Sequence, residues 1–148
     1  IELARLLMTA SSEVDVVLKM LCGIKQNRAS NINEYHKCIS ENYPELITEE
    51  IFLNRFSMKM QPWINWQNTE NNPDWWKSYN NVKHERNNNY SDANLKNTVN
   101  SVGALLIVLL YYYKNKTNCS FKDTTRALQP DSSLIQLKDE YYHYFIIG

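Results

Sequence analysis

Apolar residues at the start of the chain recur at spacings of three and four positions. At 3.6 residues per turn this spacing places them on one face, which is the pattern of an amphipathic α-helix. The pattern continues to Gly23, a residue type that commonly ends helices. We therefore predict one long first helix. Its predicted buried face consists of Leu3, Leu6, Leu7, Ala10, Val14, Val17, Leu18 and Leu21.

A second helix is predicted from its boundary signals. Asn31 is followed three residues later by Glu34, which matches a capping box, and the helix should continue to about Asn42. Pro44 then closes it and can itself begin a short helix, because proline at a first helical position loses no hydrogen bond.

Two more helices are predicted in the second half of the chain. The run Asn72-Pro73-Asp74 combines an N-cap, a first-turn proline and a first-turn acid, so a third helix should extend from about Pro73 to Asn87. Ser91-Asp92 predicts the cap of a fourth helix that ends near Lys114, with Leu95 on its apolar face. The short connection predicts that these two helices are antiparallel.

These patterns predict the fold class and the domain organisation. A chain of 148 residues is long enough to bury one core without staples. We expect one all-α domain over residues 1–148, an antiparallel bundle of four or more helices. The core helices should occupy about 1–114, with an irregular insertion around 51–72 and a C-terminal extension over 115–148. This extension can wrap the bundle or pair with another chain.

Composition narrows the cellular setting and the partners. The formal net charge is zero, so any contact with a nucleic acid must be local. The three cysteines form no CxxC pair, which argues against a disulfide framework and favours a reducing compartment. The strongest apolar run, over 102–113, is shorter than a membrane span and predicts a buried helix. With no signal peptide visible at Ile1, we expect a cytoplasmic protein without membrane contact.

The third predicted helix carries the candidate chemistry. Counted at 100° per residue, Trp75, Tyr79 and Val82 share the core face, with Arg86 at its rim. Lys77, Asn80 and His84 lie near the opposite side and form a polar and titratable cluster.

This cluster fits RNA cleavage through the 2′-hydroxyl without a metal. The ordinary pKa of histidine is about 6.5, so His84 can act as a general acid or base, and a nearby lysine can stabilise charge that develops on phosphorus. The structural alternative is that Asn80 and His84 are solvated residues on the outer face of the helix.

The same helix and its surroundings resemble a known family. Trp75-Trp76, then the run from Tyr79 to Arg86, then Ala93-Asn94-Leu95-Lys96-Asn97 leading to Gly103-Ala104-Leu105, resemble a bacterial HEPN-type protein. The segments at 11–15 and 31–35 share in the resemblance, which spans most of 1–114. It implies a helical bundle that dimerises, and commonly a metal-independent ribonuclease of a toxin–antitoxin or phage-defence system.

The resemblance also implies site residues. Asn80 and His84 match the polar residue and the histidine of the family pattern, but Tyr79 stands where the family has its arginine. Arg86 is the nearest arginine and lies about 160° around the helix from His84. It would join the site across a dimer or through a distorted helix. Lys83 is a weaker substitute, because a lysine does not fork onto a phosphate.

Other features complete the expectations. Lys77, Lys83 and Trp76 are the candidate RNA-binding residues, although tryptophan more often anchors a core or an interface. No cofactor and no metal are expected, since His36, Cys38 and His143 lack ligand spacing. The tyrosine clusters at 111–113 and 141–144 call for contacts beyond the local core, most simply in a homodimer. RNA and an antitoxin or defence partner are the other expected partners. The competing function is a non-catalytic helical interaction module.

Overall fold

The computed structural model describes residues 2–85, 90–128 and 134–143, and this part of the chain is mostly helical, as predicted. The α-helices are α1 (Glu2–Ile24), α2 (Ile32–Asn42), α3 (Asp74–His84), α4 (Leu95–Thr117) and α5 (Phe121–Ala127). The strands are β1 (Ile51–Leu53) and β2 (Met58–Met60). Short 3-10 segments occupy Pro44–Thr48, Asn54–Phe56, Ile64–Gln67, Tyr90–Asp92 and Asp139–Tyr141.

The two longest helices, α1 and α4, pack together along the core and run in the same direction. Near their starts, the Thr98 hydroxyl lies 3.4 Å from the Leu3 carbonyl oxygen. Near their ends, Tyr43 donates to the Leu21 carbonyl and packs edge-on against Tyr111. The prediction of a fully antiparallel bundle is therefore wrong for this pair, because the long intervening segment allows the chain to return before α4 begins.

Helix α3 does run antiparallel to α4, as the short connection predicts. Asn81, near the end of α3, donates to Asp92 just before α4. One turn earlier in α3, Ser78 accepts from Asn97 inside α4. The order of contacts is thus opposite along the two helices.

The first helix follows the predicted pattern except at its N-terminal turns. Leu7, Ala10, Val14, Val17, Leu18 and Leu21 are buried, with Ala4 beside them. Leu3 and Leu6, which were predicted to be buried, are 37% and 49% exposed. At this end of the bundle, Val82 and Ala93 pack against Ala4 and Leu7 of α1, and the cluster does not include Leu3 or Leu6.

The predicted cap of α2 is confirmed. The Asn31 side chain accepts from the Glu34 backbone N–H at 3.0 Å. The Glu34 carboxylate accepts from the Ser30 N–H at 2.6 Å, one residue before the position that a standard capping box uses. That backbone hydrogen bond is the main cause of a lowered pKa at Glu34.

Two predicted caps in the second half of the chain are wrong. The N-cap of α3 is Pro73, and the Asn72 side chain instead accepts from the Trp66 indole at 3.4 Å. The N-cap of α4 is Asn94, whose side chain accepts from the Asn97 N–H. At α4 the Asn94 side chain caps the helix in place of the nearby Ser91 and Asp92, whereas at α3 Pro73 provides no side-chain cap. Helix α3 ends at His84 with Glu85 as its C-cap, so the predicted end near Asn87, itself outside the described residues, is a few residues too far along the chain.

The insertion around 51–72 contains a small hairpin and a row of aromatic rings. Strands β1 and β2 pair antiparallel, and Phe52 also pairs with Gln136 from the tail. Trp63 contacts Trp66 on one side and Trp75 on the other, which connects the insertion to α3. The tail therefore pairs with its own chain rather than leaving this edge open.

A disulfide joins Cys22 and Cys38, contrary to the sequence-based expectation. Helix α2 lies across the end of α1, which brings the two Cα atoms to 6.2 Å. That proximity is a tertiary feature and cannot be seen from the spacing of the cysteines. The described Cys119 is a free, exposed thiol. The cysteines therefore no longer support the expectation of a reducing compartment.

Helix α4 is, within the described residues, the one helix long and apolar enough to cross a membrane. Core helices of soluble proteins pass the same test. Its buried residues include Gly103, Ala104, Ile107, Val108, Leu110 and Tyr111, so the prediction of a buried helix over 102–113 is confirmed. The described chain is compatible with a soluble protein.

Candidate functional site

Helix α3 presents its aromatic side to the core. Trp75, Tyr79 and Val82 are buried, as the helical periodicity predicts. Asp74 lies in the first turn, while Lys83 and His84 lie in the last turn, an arrangement that the helix dipole favours. The basic side chains of α3 therefore lie at its C-terminal end.

A network of amide hydrogen bonds fixes α3 against the start of α4. Asn97 Nδ2 donates to Ser78 Oγ and to the Asp92 carbonyl, both at 2.8 Å. Asn81 Nδ2 donates to Asp92 Oδ2 at 3.0 Å. Together with the Asn94 cap, these contacts give a structural role to Ser78, Asn81 and Asn97. Sequence reasoning had noted these residues without assigning them this role.

Asn80 and His84 lie one helical turn apart on α3, on the side away from the buried Trp75 and Val82. His84 and Lys77 are exposed, and Asn80 is half-buried. None of these three side chains forms a hydrogen bond or ion pair with a described residue. The structure therefore brings together the predicted polar cluster and leaves its groups open to a ligand.

Lys83 is held against the ring of Tyr79, one turn earlier in α3. Its Nζ lies 5.5 Å from the centroid of the buried Tyr79 ring, a cation–π distance. The positive charge of Lys83 therefore lies beside the aromatic ring of Tyr79. Arg86, the other candidate phosphate-binding residue, lies outside the described residues.

Trp76 does not have the exposure that a base-stacking platform needs. It is 7% exposed, and its ring packs against Trp75 at 5.8 Å and Tyr79 at 5.1 Å between centroids. The prediction that Trp76 binds RNA is therefore contradicted, because its ring faces contact the core. The alternative from the sequence, core anchoring, describes it.

The two other histidines of interest belong to separate clusters. His36 Nε2 lies 2.8 Å from the Trp66 carbonyl oxygen, and its ring stacks on the Trp66 indole. His143 lies 3.3 Å from Asp123 in the tail. Within the described part of the chain, no group of three or more potential metal ligands is present.

A second site, which the sequence did not reveal, surrounds the buried carboxylate of Glu49. A pocket of about 540 Å³ opens between the end of α4, the segment around 42–50 and the tail. Three lysines and three glutamates line it together with aromatic and amide side chains: Lys25, Asn42, Tyr43, Glu45, Thr48, Glu49, Glu50, Tyr111, Lys114, Asn115, Phe121, Lys138 and Tyr141.

Glu49 is only 4% exposed and has one oxygen with partners and one without. Tyr111 donates to Oε1 at 2.9 Å, Tyr141 donates to the same oxygen, and Lys138 Nζ lies 3.9 Å from it. Oε2 is buried and has no hydrogen-bond partner in the described structure. A buried carboxylate needs donors, and the two tyrosine hydroxyls and the Lys138 ammonium stabilise this one through Oε1.

The environment of Glu49 also acts on the two tyrosines. Burial is the first cause of a raised pKa at Tyr111 and at Tyr141, and the neighbouring Glu49 charge raises the pKa of both further. Both hydroxyls therefore stay protonated at neutral pH and act as donors to Glu49.

A signal for this buried acid was present in the sequence. Ile47, Glu49, Ile51 and Leu53 are all buried, so the burial alternates with a period of two from the end of the 3-10 segment into β1. That alternation places Glu49 on the apolar side. The tyrosine clusters were predicted to need contacts beyond the local core. Tyr111 and Tyr141 both donate to Glu49 of the same chain.

No protein-family model, curated protein or solved structure matches this chain.

Proposed function

We propose that this chain is a HEPN-like protein that acts on RNA, as a metal-independent endoribonuclease or an RNA-binding protein of a defence or toxin-type system. The observation that carries the proposal is the pair of half-buried Asn80 and exposed His84 one turn apart on α3, with Lys83 in the same last turn. RNA cleavage needs a proton-transfer group and a cation near phosphate, and this helix end provides both.

Each residue has a distinct role in the proposed reaction. The His84 imidazole removes the proton from a ribose 2′-hydroxyl, whose oxygen attacks the adjacent phosphorus. The bond from phosphorus to the 5′-oxygen breaks, the leaving oxygen takes a proton from water, and the His84 imidazolium returns its proton to the solvent. Asn80 orients the imidazole or the substrate, and Lys83 or Arg86 binds the phosphate. The products are a 2′,3′-cyclic phosphate and a free 5′-hydroxyl.

A homodimer fits the surroundings of this helix end. Val82 packs in one cluster with Ala4, Leu7 and Ala93, so the end of α3 adjoins the starts of α1 and α4. Leu3, Leu6 and Leu95, at 37%, 49% and 65%, are exposed on those same starts. A second copy that covers these leucines would bury the starts of α1 and α4 next to the end of α3.

The test is a cleavage assay on structured and single-stranded RNA with EDTA present. The wild type should produce cyclic-phosphate ends, and His84→Ala should reduce the rate by roughly 10²- to 10⁴-fold, the usual contribution of general acid–base catalysis. His143→Ala, which changes an exposed histidine in the tail, is the matched control and should cleave like the wild type. Equal rates for wild type and His84→Ala would contradict the proposal.

A second candidate function is a non-catalytic interaction module. Tyr79 is 6% exposed and contacts Trp76, so no guanidinium occupies the position of the family arginine. In this case Leu95→Glu would abolish the dimer in light scattering, whereas His84→Ala would change neither assembly nor any activity. Cleavage by the wild type that requires His84 would exclude this alternative.

A further inference from the structure

We propose that two copies of this chain associate through the outer face of α4, with the two α4 helices packed antiparallel about a two-fold axis. The proposal assigns a surface and an orientation to the homodimer, and it does not depend on RNA cleavage by α3. The surface, called the α4 seam, consists of Leu95, Val99, Val102, Leu106, Leu109 and Tyr113.

The α4 seam lies on the side of the helix away from the core. Counted at 100° per residue, its six residues all lie within about 40° of the direction opposite the buried Ala104. Leu95 and Tyr113 are 65% and 42% exposed, and the other four are half-buried. The outer side of a surface helix is normally polar, so a continuous apolar row on this side indicates a contact with a partner.

The spacing of the α4 seam indicates that the partner surface is another helix. Successive residues of the seam alternate between steps of four and three positions, which is the heptad pattern of a coiled coil. In that packing, each side chain of one helix fits between side chains of a facing helix.

The order of residue sizes along the α4 seam makes it complementary to itself. A two-fold axis level with position 104 pairs each smaller residue of one copy with a larger residue of the other, which fills every layer evenly. Parallel helices would instead place valine against valine and tyrosine against tyrosine. The axis repeats three pairs into six layers over about 27 Å. The pairs are Leu95 with Tyr113, Val99 with Leu109 and Val102 with Leu106.

The charges at the two ends of α4 also favour the antiparallel orientation. Lys116 lies in the last turn of α4, and Asp92 lies just before its first turn. The antiparallel arrangement brings Lys116 of one copy to the end that carries Asp92 of the other. A parallel arrangement would gather the lysines of both copies at one end, where they repel each other.

Helix α4 is already ordered within one copy, because it packs along α1 and buries residues from Thr98 to Tyr111. Association therefore needs no folding of the helix, which lowers the entropic cost of a short seam. The starts of the two α4 helices lie at opposite ends of this dimer. Since the end of α3 adjoins the start of α4, each copy keeps its own His84 cluster.

The first test is light scattering of the full chain. The wild type should give about 35 kDa, twice the 17.5 kDa of one chain. Leu106→Glu should raise the dissociation constant of the dimer by at least about 100-fold, because the dimer would bury two carboxylates against apolar side chains. Lys96→Glu adds the same acid at an exposed position of α4 outside the seam and should dimerise like the wild type. Circular dichroism verifies that each variant is folded.

The second test is disulfide cross-linking in a Cys119→Ser background, which removes the free exposed thiol. Leu95→Cys mixed with Tyr113→Cys should form a covalent dimer that contains one copy of each variant. Neither variant alone should cross-link, because like positions lie about 27 Å apart along the antiparallel pair. Both substitutions are at exposed positions, so neither removes a core side chain.

The outcomes separate this proposal from its alternatives. Cross-linking in the mixture alone, together with dissociation by Leu106→Glu, supports the antiparallel dimer. Cross-linking of Leu95→Cys with itself overturns the orientation, and a dimer that Leu106→Glu leaves intact overturns the surface. A monomer at about 100 µM, whether free or bound to phosphatidylcholine vesicles, also overturns the proposal. His84→Ala should dimerise like the wild type, so failure of RNA cleavage and failure of the dimer are distinct results.

Discussion

At the scale of single residues, the closest fit in the described core is between Gly103 of α4 and Ile51 of β1. A Cβ added at Gly103 would overlap Ile51 Cδ1 and lie 3.2 Å from both Cγ atoms. The hairpin thus approaches α4 at a position where only hydrogen fits. This contact helps to place the segment that carries Glu49.

Gly103→Ala should reduce the free energy of unfolding by about 1–3 kcal/mol, because the added methyl group overpacks a filled core. Urea denaturation measures the change. The double variant with Ile51→Val should recover part of the loss, because valine lacks the Cδ1 atom that the methyl group meets. Unchanged stability in Gly103→Ala would show that the contact is looser than described.

Gly23 provides the matched control, since it also lies in a helix and nothing lies within 4 Å of an added Cβ. Gly23→Ala should leave stability unchanged or raise it by up to about 1 kcal/mol, because alanine restricts the unfolded chain more than glycine.

The residues of the candidate sites differ in how well the sequence predicted their exposure. The exposure of Lys77 and His84 followed from helical periodicity. The burial of Trp76 was one of two alternatives, because two adjacent tryptophans point in directions about 100° apart and periodicity places only Trp75 on the core face. The buried state of Glu49 depends on donors from α4 and the tail, which are 62 and 92 residues away.

At the scale of elements, the cap of α2 shows a local signal that was sufficient. Asn31→Ala should lower the free energy of unfolding by about 1 kcal/mol, because the Glu34 N–H loses its acceptor. Asn33→Ala, at an exposed position two residues later in the same helix, should change it much less. Equal losses of stability in the two variants would show that the effect comes from replacing an asparagine by alanine in general and not from loss of the cap.

The same cap should make stability dependent on acid. The Ser30 N–H lowers the pKa of Glu34, so the contribution of this carboxylate is present above its unfolded pKa of about 4.3 and is lost as the pH falls through the lower folded value. The stability difference between the wild type and Glu34→Gln should therefore shrink on acidification from about pH 7 to about pH 3. A constant difference in urea unfolding across that range would contradict this contribution.

At the scale of the whole molecule, the disulfide joins α1 and α2 across a separation of 16 residues. A loop of that size restricts the unfolded chain by about 3 kcal/mol, so a reductant should lower the free energy of unfolding by that order. Cys119→Ser should not change the response to the reductant, because Cys119 is a free thiol.

Thiol labelling of the denatured chain verifies the pairing directly. One cysteine should react without reductant, and all three should react after reduction, since the chain has three cysteines. Labelling of three cysteines without reductant would exclude the disulfide and restore the expectation of a reducing compartment.

The sequence by itself identified four of the five α-helices of the described chain, and α5 lies in the region expected only as an extension. Apolar spacing, the Asn31 cap and the proline and glycine signals act over a few residues, so they identified α1, α2, α3 and α4 to within a few positions at most described ends. The same local reasoning predicted that α3 and α4 are antiparallel and that Lys77 and His84 face outward.

The tertiary structure alone decided how those helices combine. The parallel packing of α1 and α4, the Cys22–Cys38 bond and the donors around Glu49 all join residues that lie far apart in the chain. Periodicity and capping carry no information about such distances, because they describe which face of an element is buried and not which partner buries it. The pocket around Glu49 therefore emerged only when the end of α4 and the tail closed over the segment between them.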